Sequence, residues 1–396
     1  MGEKGCLDDG SGRWEGFRKE MPVARRWAYL DHAAVSPLPA RAREALLQWA
    51  GQACEDGDVH WPRWAARVEE LRRSAASMLG ATPEEVALLR STSEGVNLVA
   101  EGFPWRPGDN VVTLADEFPT NQYAWLNQAE RGVETRRVPV GPEGVELDAI
   151  ARACDARTRI VTISWVSFCT GRRLDLDRLV QLAHDRNALL FVDAIQGLGV
   201  FPLDVSKTPV DFLAADGHKW MLGPEGAGIF YIRREHLDRL RPIGLGWNSV
   251  VHAHDFTRIE LNLKDAADRY EGGSQNMAGM IGLASSIELL LEQGQAALAK
   301  RIEETTDLAC QRLQSIGARI VSDRTAGRKS GIVAFEIPGR DPMKLREKCL
   351  AEDVVLSCRA GRLRISVHGY NNVEDLDRLV DALSGRLNPT GINCTA

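Results

Sequence analysis

Little in this chain would tie it to a membrane, a nucleic acid or an oxidising compartment. Among its 396 residues no apolar run approaches the roughly 18 needed to span a bilayer. The 49 Lys and Arg do not outnumber the 55 Asp and Glu, so the net charge is −6 and no basic excess exists to neutralise a phosphate backbone. Eight cysteines are scattered without a CxxC pair, in a chain large enough to need no staples. The opening MGEKGCLDDG is too polar for a signal peptide, and Cys6 stands where a myristoylation pattern needs Ser or Thr. Internal repeats and low-complexity linkers are also missing. What is present, 44% apolar and 26% charged residues, is an ordinary globular mixture that argues against disorder. The expectation is a soluble, cytoplasmic enzyme or binding protein of two or three domains, at about 150 residues each.

The order of patterns sets the fold class. Residues 1–20 are polar and Gly-rich and read as a tail. Residues 21–50 read as an N-terminal segment that packs with a smaller C-terminal domain. Between 51 and 280, short apolar runs alternate with helical patterns: DNVVTLA, RTRIVTISWVS, ALLFVDA, VDFLAAD and GAGIFYIRR are strand candidates, and VETRRVPV reads as extended. Continuous apolar runs separated by helices predict an α/β domain with a mostly parallel, seven-stranded-type sheet covered on both faces. From 281 to 396 two long helical patterns precede ARIVS, GIVAFEI and GRLRISV, which predicts a smaller α/β or α+β domain.

Two strand ends carry chemistry. ALLFV runs into Asp193, and DFLAAD runs into Gly217, His218 and Lys219. Ligands of open parallel sheets sit at the carboxyl ends of the strands, so an acid and an amine there face one crevice. A lysine beside Trp220 is open to desolvation, which favours its neutral, nucleophilic form. A buried Asp needs a cation or hydrogen-bond donors, and a pyridinium nitrogen would serve. An Asp193–Lys219 ion pair without further function explains the same two residues equally well.

The words around them decide between these. VDAIQGLGVFPLDV followed by VDFLAADGHKWMLGPEGAGIFYI resembles the class V aminotransferase family of fold-type I pyridoxal-phosphate enzymes, which includes cysteine desulfurases, kynureninases and isopenicillin N epimerase-like proteins. The resemblance runs from YLDHAAVSPLP to LRISVHGYNNVEDLDRLV, most of the chain. It implies that Lys219 bonds the cofactor's aldehyde, that Asp193 partners the pyridinium, that Gln196 meets the phenolic oxygen and that His218 lies at the phosphate. In TSEG it implies a phosphate cup with backbone N–H groups from Ser93 and Glu94, where the residue-level alternative is that Ser93 only caps a helix. Phe118 falls where relatives stack an aromatic on the pyridine ring, with core packing as the alternative. Ser274, in RYEGGSQN, matches a hydroxyl that reaches the phosphate of a neighbouring subunit, which implies a homodimer with shared active sites. Arg364 matches the arginine that forks onto the substrate carboxylate, with Arg362 as a rival on the same strand face.

Two departures accompany the match. Phe168, in WVSFCTG, stands where desulfurases carry Asn, and Asp216 stands where they carry a hydroxyl, so Asp216 should turn towards a donor elsewhere. His252, His254 and Asp255 form an HxHD cluster that reads as a polar loop, and no metal is expected. His32 either enters the site or caps a turn. Cys358 lies six positions before Arg364, too few for a lid, and Cys169 sits where no desulfurase motif places a nucleophile, so neither is expected to be catalytic. The leading expectation is an aminotransferase-type transferase acting on an amino acid. A C–S lyase, desulfurase-like or epimerase-like enzyme is the alternative, and a non-catalytic pyridoxal-phosphate-binding protein stands last.

Overall fold

The computed structural model describes residues 12–141 and 144–385. These fall into two compact units, one formed by the described residues between 41 and 167 together with 173–295, the other by 12–40, 168–172 and 296–385.

The larger unit is built on a seven-stranded sheet. Its strands are β1 (Val86–Leu89), β2 (Asn110–Leu114), β3 (Glu134–Val138), β4 (Thr158–Ser164), β5 (Leu189–Asp193), β6 (Phe212–Asp216) and β7 (Gly228–Ile232). In space they run β1-β7-β6-β5-β4-β2-β3, and β7 alone opposes its neighbours. Six strands therefore point one way, and their carboxyl ends share one edge. β1, β2, β6 and β7 are buried at every position, as strands covered on both faces must be. Helix Thr92–Gly102 lies so close to β6 that a Cβ on Gly95 would sit 2.6 Å from Ala214 Cβ. The expected large domain is present, as a mostly parallel sheet.

Its limit differs from the expected residue 280. Composition changes where helix Met277–Gln293 begins, but that helix belongs to the larger unit, and eleven of its seventeen residues are buried. A helix so enclosed reads in sequence as the start of a new core; the division instead falls after Gln295, just past its end.

The smaller unit holds a four-stranded antiparallel sheet of β8 (Arg319–Ile320), β9 (Ile332–Glu336), β10 (Ser357–Arg359) and β11 (Arg362–Ser366), in the order β10-β11-β9-β8. A short parallel pair, Ala28–Tyr29 with Val354–Val355, ties in the N-terminal segment. The expected tail is corrected here: Arg13–Lys19 is a helix, with Phe17 buried and Arg18 paired to the buried Asp375 at 2.8 Å. An apolar anchor and an ion pair hold a segment whose composition looks loose. Residues 1–11 lie outside the described ones.

Candidate active site

In the larger unit the site grows from the carboxyl edge of the sheet. Asp193 ends β5 and is 3% exposed. Its Oδ1 accepts from Ile195 N–H at 3.0 Å and its Oδ2 from Asn121 Nδ2 at 2.9 Å. Both donors are neutral, so burial outweighs them and pushes the carboxyl up, with Lys219 pulling the other way.

Lys219 follows β6 inside a closed turn. Leu222 N–H donates to Lys219 O at 3.0 Å, and Gly223 N–H closes onto Gly217 O at 2.8 Å. Gly217 has no room for a side chain, since a Cβ would lie 2.7 Å from Ala227 O. Leu222 is held at φ 56, a left-handed conformation that a branched side chain adopts only under constraint. Lys219 Nζ stands 5.8 Å from the centre of the Phe118 ring. Phe118 is 43% exposed, which removes core packing as its explanation.

Gln196 is oriented by Trp220, whose indole N–H donates to its Oε1 at 2.8 Å. With the oxygen engaged, the end that Gln196 can offer a ligand is its NH2 group. His218 Nδ1 and Asp216 Oδ1 lie 3.0 Å apart as an ion pair, and neither buried atom makes a hydrogen bond. Asp216 thus leans on His218, and an anion's oxygen would satisfy the histidine.

At the start of helix Thr92–Gly102 the capping residue is Ser91, not Ser93, and its Oγ accepts from Glu94 N–H at 3.1 Å. The Glu94 N–H expected in the cup is thereby engaged. Its carboxylate folds back onto Arg90 N–H at 2.7 Å. The N–H groups of Thr92 and Ser93 belong to the first helical turn, which has no intrahelical partners for them. Thr92 Oγ1 accepts from Asp216 N–H at 2.9 Å and pins this turn to the end of β6. Ser93 Oγ pairs with Thr120 Oγ1 at 3.0 Å. Ser93 also lines a cavity of about 700 Å³ together with Gly272, Gly273 and Ser274.

The chain matches the model of the aminotransferase class-V family over residues 28–379. It belongs to the class-V aminotransferases. A probable cysteine desulfurase from Methanothermobacter thermautotrophicus is 31% identical, over 94% of this chain and 97% of that one. The isopenicillin N epimerase of Streptomyces clavuligerus is 29% identical, over 93% and 97%. Among solved structures, the apo cysteine desulfurase of Thermococcus onnurineus superimposes with a TM-score of 0.86 at 25% identity, covering 94% and 97%.

Class-V enzymes depend on pyridoxal phosphate, and the residues present fit it. Asp193 is a buried carboxyl short of a cation, which a pyridinium N–H would supply. His218 holds a buried nitrogen short of an acceptor, which a phosphate would supply. Lys219 stands at a strand end beside an exposed aromatic face.

In the smaller unit, the Arg364 guanidinium is buried with the residue 1% exposed. Nε donates to Ser357 Oγ at 3.1 Å, Nη1 to Phe168 O at 2.6 Å and Nη2 to Asp31 Oδ1 at 3.2 Å. Three of the five guanidinium N–H groups are engaged, which leaves two, the number a carboxylate fork needs. Arg362, its rival, is tied to Glu336 at 3.0 Å. Phe168, the departure from the desulfurase Asn, contributes its backbone oxygen. His32 is fully buried between Ser366 O and Tyr370 OH, each at 2.8 Å, which makes it part of the core.

β10 and β11 form a hairpin with Arg359 opposite Arg362, so its loop is only Ala360 and Gly361, at φ 48 and 74. Two left-handed residues are what a tight two-residue hairpin requires. Cys358 is part of β10, opposite Leu363, and burial pushes its thiol up, away from the thiolate. Cys169 is half-buried. In the HxHD loop, the Asp255 carboxylate accepts from Thr257, and the His254 ring packs against Trp61 and Trp247.

Sequence reading missed Asn121, Thr92, Asp31 and Ser357. One signal was available for Asn121: a polar residue three places after Phe118, the expected ring-stacking position, in the first turn of the helix that follows a parallel strand. Asp31 meets both Arg364 and Ser357 across more than 300 residues of chain, which no spacing rule reveals.

Proposed function

We propose that this class-V enzyme is a C–S lyase that eliminates sulfur from a sulfur-containing α-amino acid without forming a protein persulfide. The single observation that carries the reading is the Ala360–Gly361 hairpin. A persulfide relay needs a cysteine on mobile chain upstream of the carboxylate-binding arginine, and here that stretch is a two-residue turn between paired strands. The names of the relatives supply the substrate class. They move the choice from the expected transamination to cleavage at carbon–sulfur bonds, while one of them, an epimerase, keeps racemisation as the second reading.

When bound, pyridoxal phosphate supplies an electron sink for the bond broken next to the substrate nitrogen. Lys219 would tether it and, as a free amine, would move the proton at the substrate Cα. Asp193 holds a proton on the pyridine nitrogen. Gln196 offers its NH2 to the phenolic oxygen, and Phe118 covers the ring face. Thr92 and Ser93 offer backbone N–H groups to the phosphate, with His218 beside them. Arg364 takes the substrate carboxylate on its two remaining N–H groups.

The working unit in this reading is a homodimer in which Ser274 serves the partner's phosphate. Ser274 is exposed, and the segment 247–261 presents apolar side chains to solvent, with Phe256 at 72% and Ile259 at 91%. A patch of that kind marks a protein–protein interface. A panel of amino acids, cysteine and cystine included, read for keto acid, sulfide and racemisation in parallel, tests the reaction. Sulfide with keto acid from Cys358→Ala and Cys169→Ala proteins supports it; a protein persulfide that disappears with Cys358→Ala sinks it.

A further inference from the structure

Three neighbouring strand ends meet on the inner side of Asp193. Glu117 follows β2, Ser164 closes β4 directly opposite Asp193 on β5, and Asn121 sits in the first turn of helix Thr120–Leu126. Asn121 Nδ2 donates to Asp193 Oδ2 at 2.9 Å, and lies 3.2 Å from Ser164 Oγ and 3.4 Å from Glu117 Oε2. The Ser164 N–H donates to Glu117 Oε1 at 2.7 Å, and the Ser164 hydroxyl is in short contact with Glu117 Oε2. Glu117 is buried, and all of its hydrogen-bond partners are neutral.

Two carboxyl groups therefore share one amide in a place closed to water. Like charges so placed cannot both ionise cheaply, and the pair titrates as a unit. The question is which of the two keeps a proton. Asp193 has Lys219 pulling it towards the anion, and in the reading above it also meets a pyridinium N–H. Among the described residues, Glu117 has no such partner.

We propose that Glu117 is a positioning residue that carries the proton of the pair, so that Asp193 is the sole anion offered to the cofactor's nitrogen. As the neutral acid, Glu117 donates its O–H to Ser164 Oγ and leaves the Asn121 amide to Asp193. As an anion it would draw both the Ser164 hydroxyl and the Asn121 N–H to itself, and Asp193 would hold the pyridine proton less well. Burial and the neighbouring Asp193 push the Glu117 carboxyl up to about 7, in line with this division. Among the described residues, the charged group that faces Glu117 is Asp193, from the end of β5, and the one that faces Asp193 is Lys219, from the turn after β6.

The link to the nitrogen rests on the cofactor reading, and the experiment keeps the two apart. Infrared spectra of the holoenzyme and its Glu117→Gln variant are recorded at pH 6 and pH 9, alongside visible absorbance. The wild type should show a carboxylic-acid C=O band at pH 6 that is lost at pH 9 and is missing from Glu117→Gln at both. The cofactor's absorbance should follow a one-proton transition in the wild type and stay flat in Glu117→Gln, because the amide mimics the neutral acid. A wild-type spectrum at pH 6 identical to that of Glu117→Gln in the acid region overturns the proposal. An acid band without visible absorbance in either protein would instead break the cofactor reading and leave Glu117 neutral.

Discussion

Two buried aspartates on adjacent strands of one sheet are treated in opposite ways. Asp193 closes β5 at the carboxyl edge and finds only two neutral N–H donors. Asp211, just before β6 at the other edge, accepts from Leu190 N–H at 2.7 Å and faces His184 Nε2 and His236 Nε2 at 2.9 and 2.8 Å. Burial lifts the first carboxyl, whereas the hydrogen bonds and nearby histidines hold the second below its usual range against the same burial. One end of the sheet is satisfied within the chain; the other is left to be completed by something that binds. Perturbed groups gather at functional sites for this reason. The contrast says which edge carries the chemistry without reference to any relative.

The contrast can be broken most sharply at its reactive end. Borohydride reduction followed by peptide mapping should place the pyridoxyl label on Lys219, and Lys219→Ala should lose both label and turnover completely. Label on another lysine would remove Asp193 from the site. Next in size, Asp211→Ala should cost about 3–5 kcal/mol in denaturant unfolding, as loss of one partner of a buried charged cluster does. Asp193→Asn should leave the apoprotein at least as stable as the wild type while abolishing its hold on the cofactor. Equal losses in both variants would erase the distinction.

Subunit mixing gives an all-or-none answer on a smaller scale. Hybrids of Lys219→Ala with Ser274→Ala chains should regain activity if Ser274 serves the partner's site, and none if it serves its own. Arg364→Lys should raise KM by ten- to a hundredfold, about 1.5–3 kcal/mol for a lost charge-assisted fork, with cofactor affinity unchanged. The same loss on Arg362→Lys would reassign the fork.

The smallest effect is in pH dependence, where the two edges should pull in opposite directions. Glu117 and Asp193 are raised, so the apoprotein binds protons on folding and their contribution is full in acid; that of Glu117 is lost as pH rises from 4.5 through about 7, and that of Asp193 as pH rises through its folded value. Asp211 is lowered, so its contribution is full above the ordinary carboxylate range and is lost as pH falls through its folded value. Glu117→Gln should flatten the first slope and leave the second; a neutral-region slope that survives the substitution would place the raised carboxyl elsewhere.

Much of the fold was legible because parallel strands buried on both faces are continuous apolar runs, and six of the seven in the large sheet were marked by them or by the extended stretch VETRRVPV. β1 escaped: Val86–Leu89 is four residues between a Pro-led turn and a helix cap, too short for any periodicity. Lys219, Asp193 and Gln196 were legible as strand-end chemistry joined to a family resemblance. The capping of Thr92–Gly102 by Ser91 was not, since Ser91, Thr92 and Ser93 all suit the position and only the backbone chooses among them. Glu117 and Asn121 look like any polar residues after a strand until the neighbouring strands bring Ser164 and Asp193 against them.

The antiparallel β7 has a bearing on how the molecule is made. β1 pairs only with β7, Val86 opposite Tyr231, so the edge strand emerges from the ribosome long before its partner exists. Throughout that interval VALL is an unpaired apolar strand, and late, non-local pairings of this kind are slow and prone to aggregation. The helix start at Ser91–Thr92, pinned to the end of β6 by Asp216, waits on a strand made only a few residues before β7. In a nascent chain the groove proposed for the phosphate is therefore among the last parts to take shape, and chains arrested before residue 231 should be caught by chaperones with β1 still exposed.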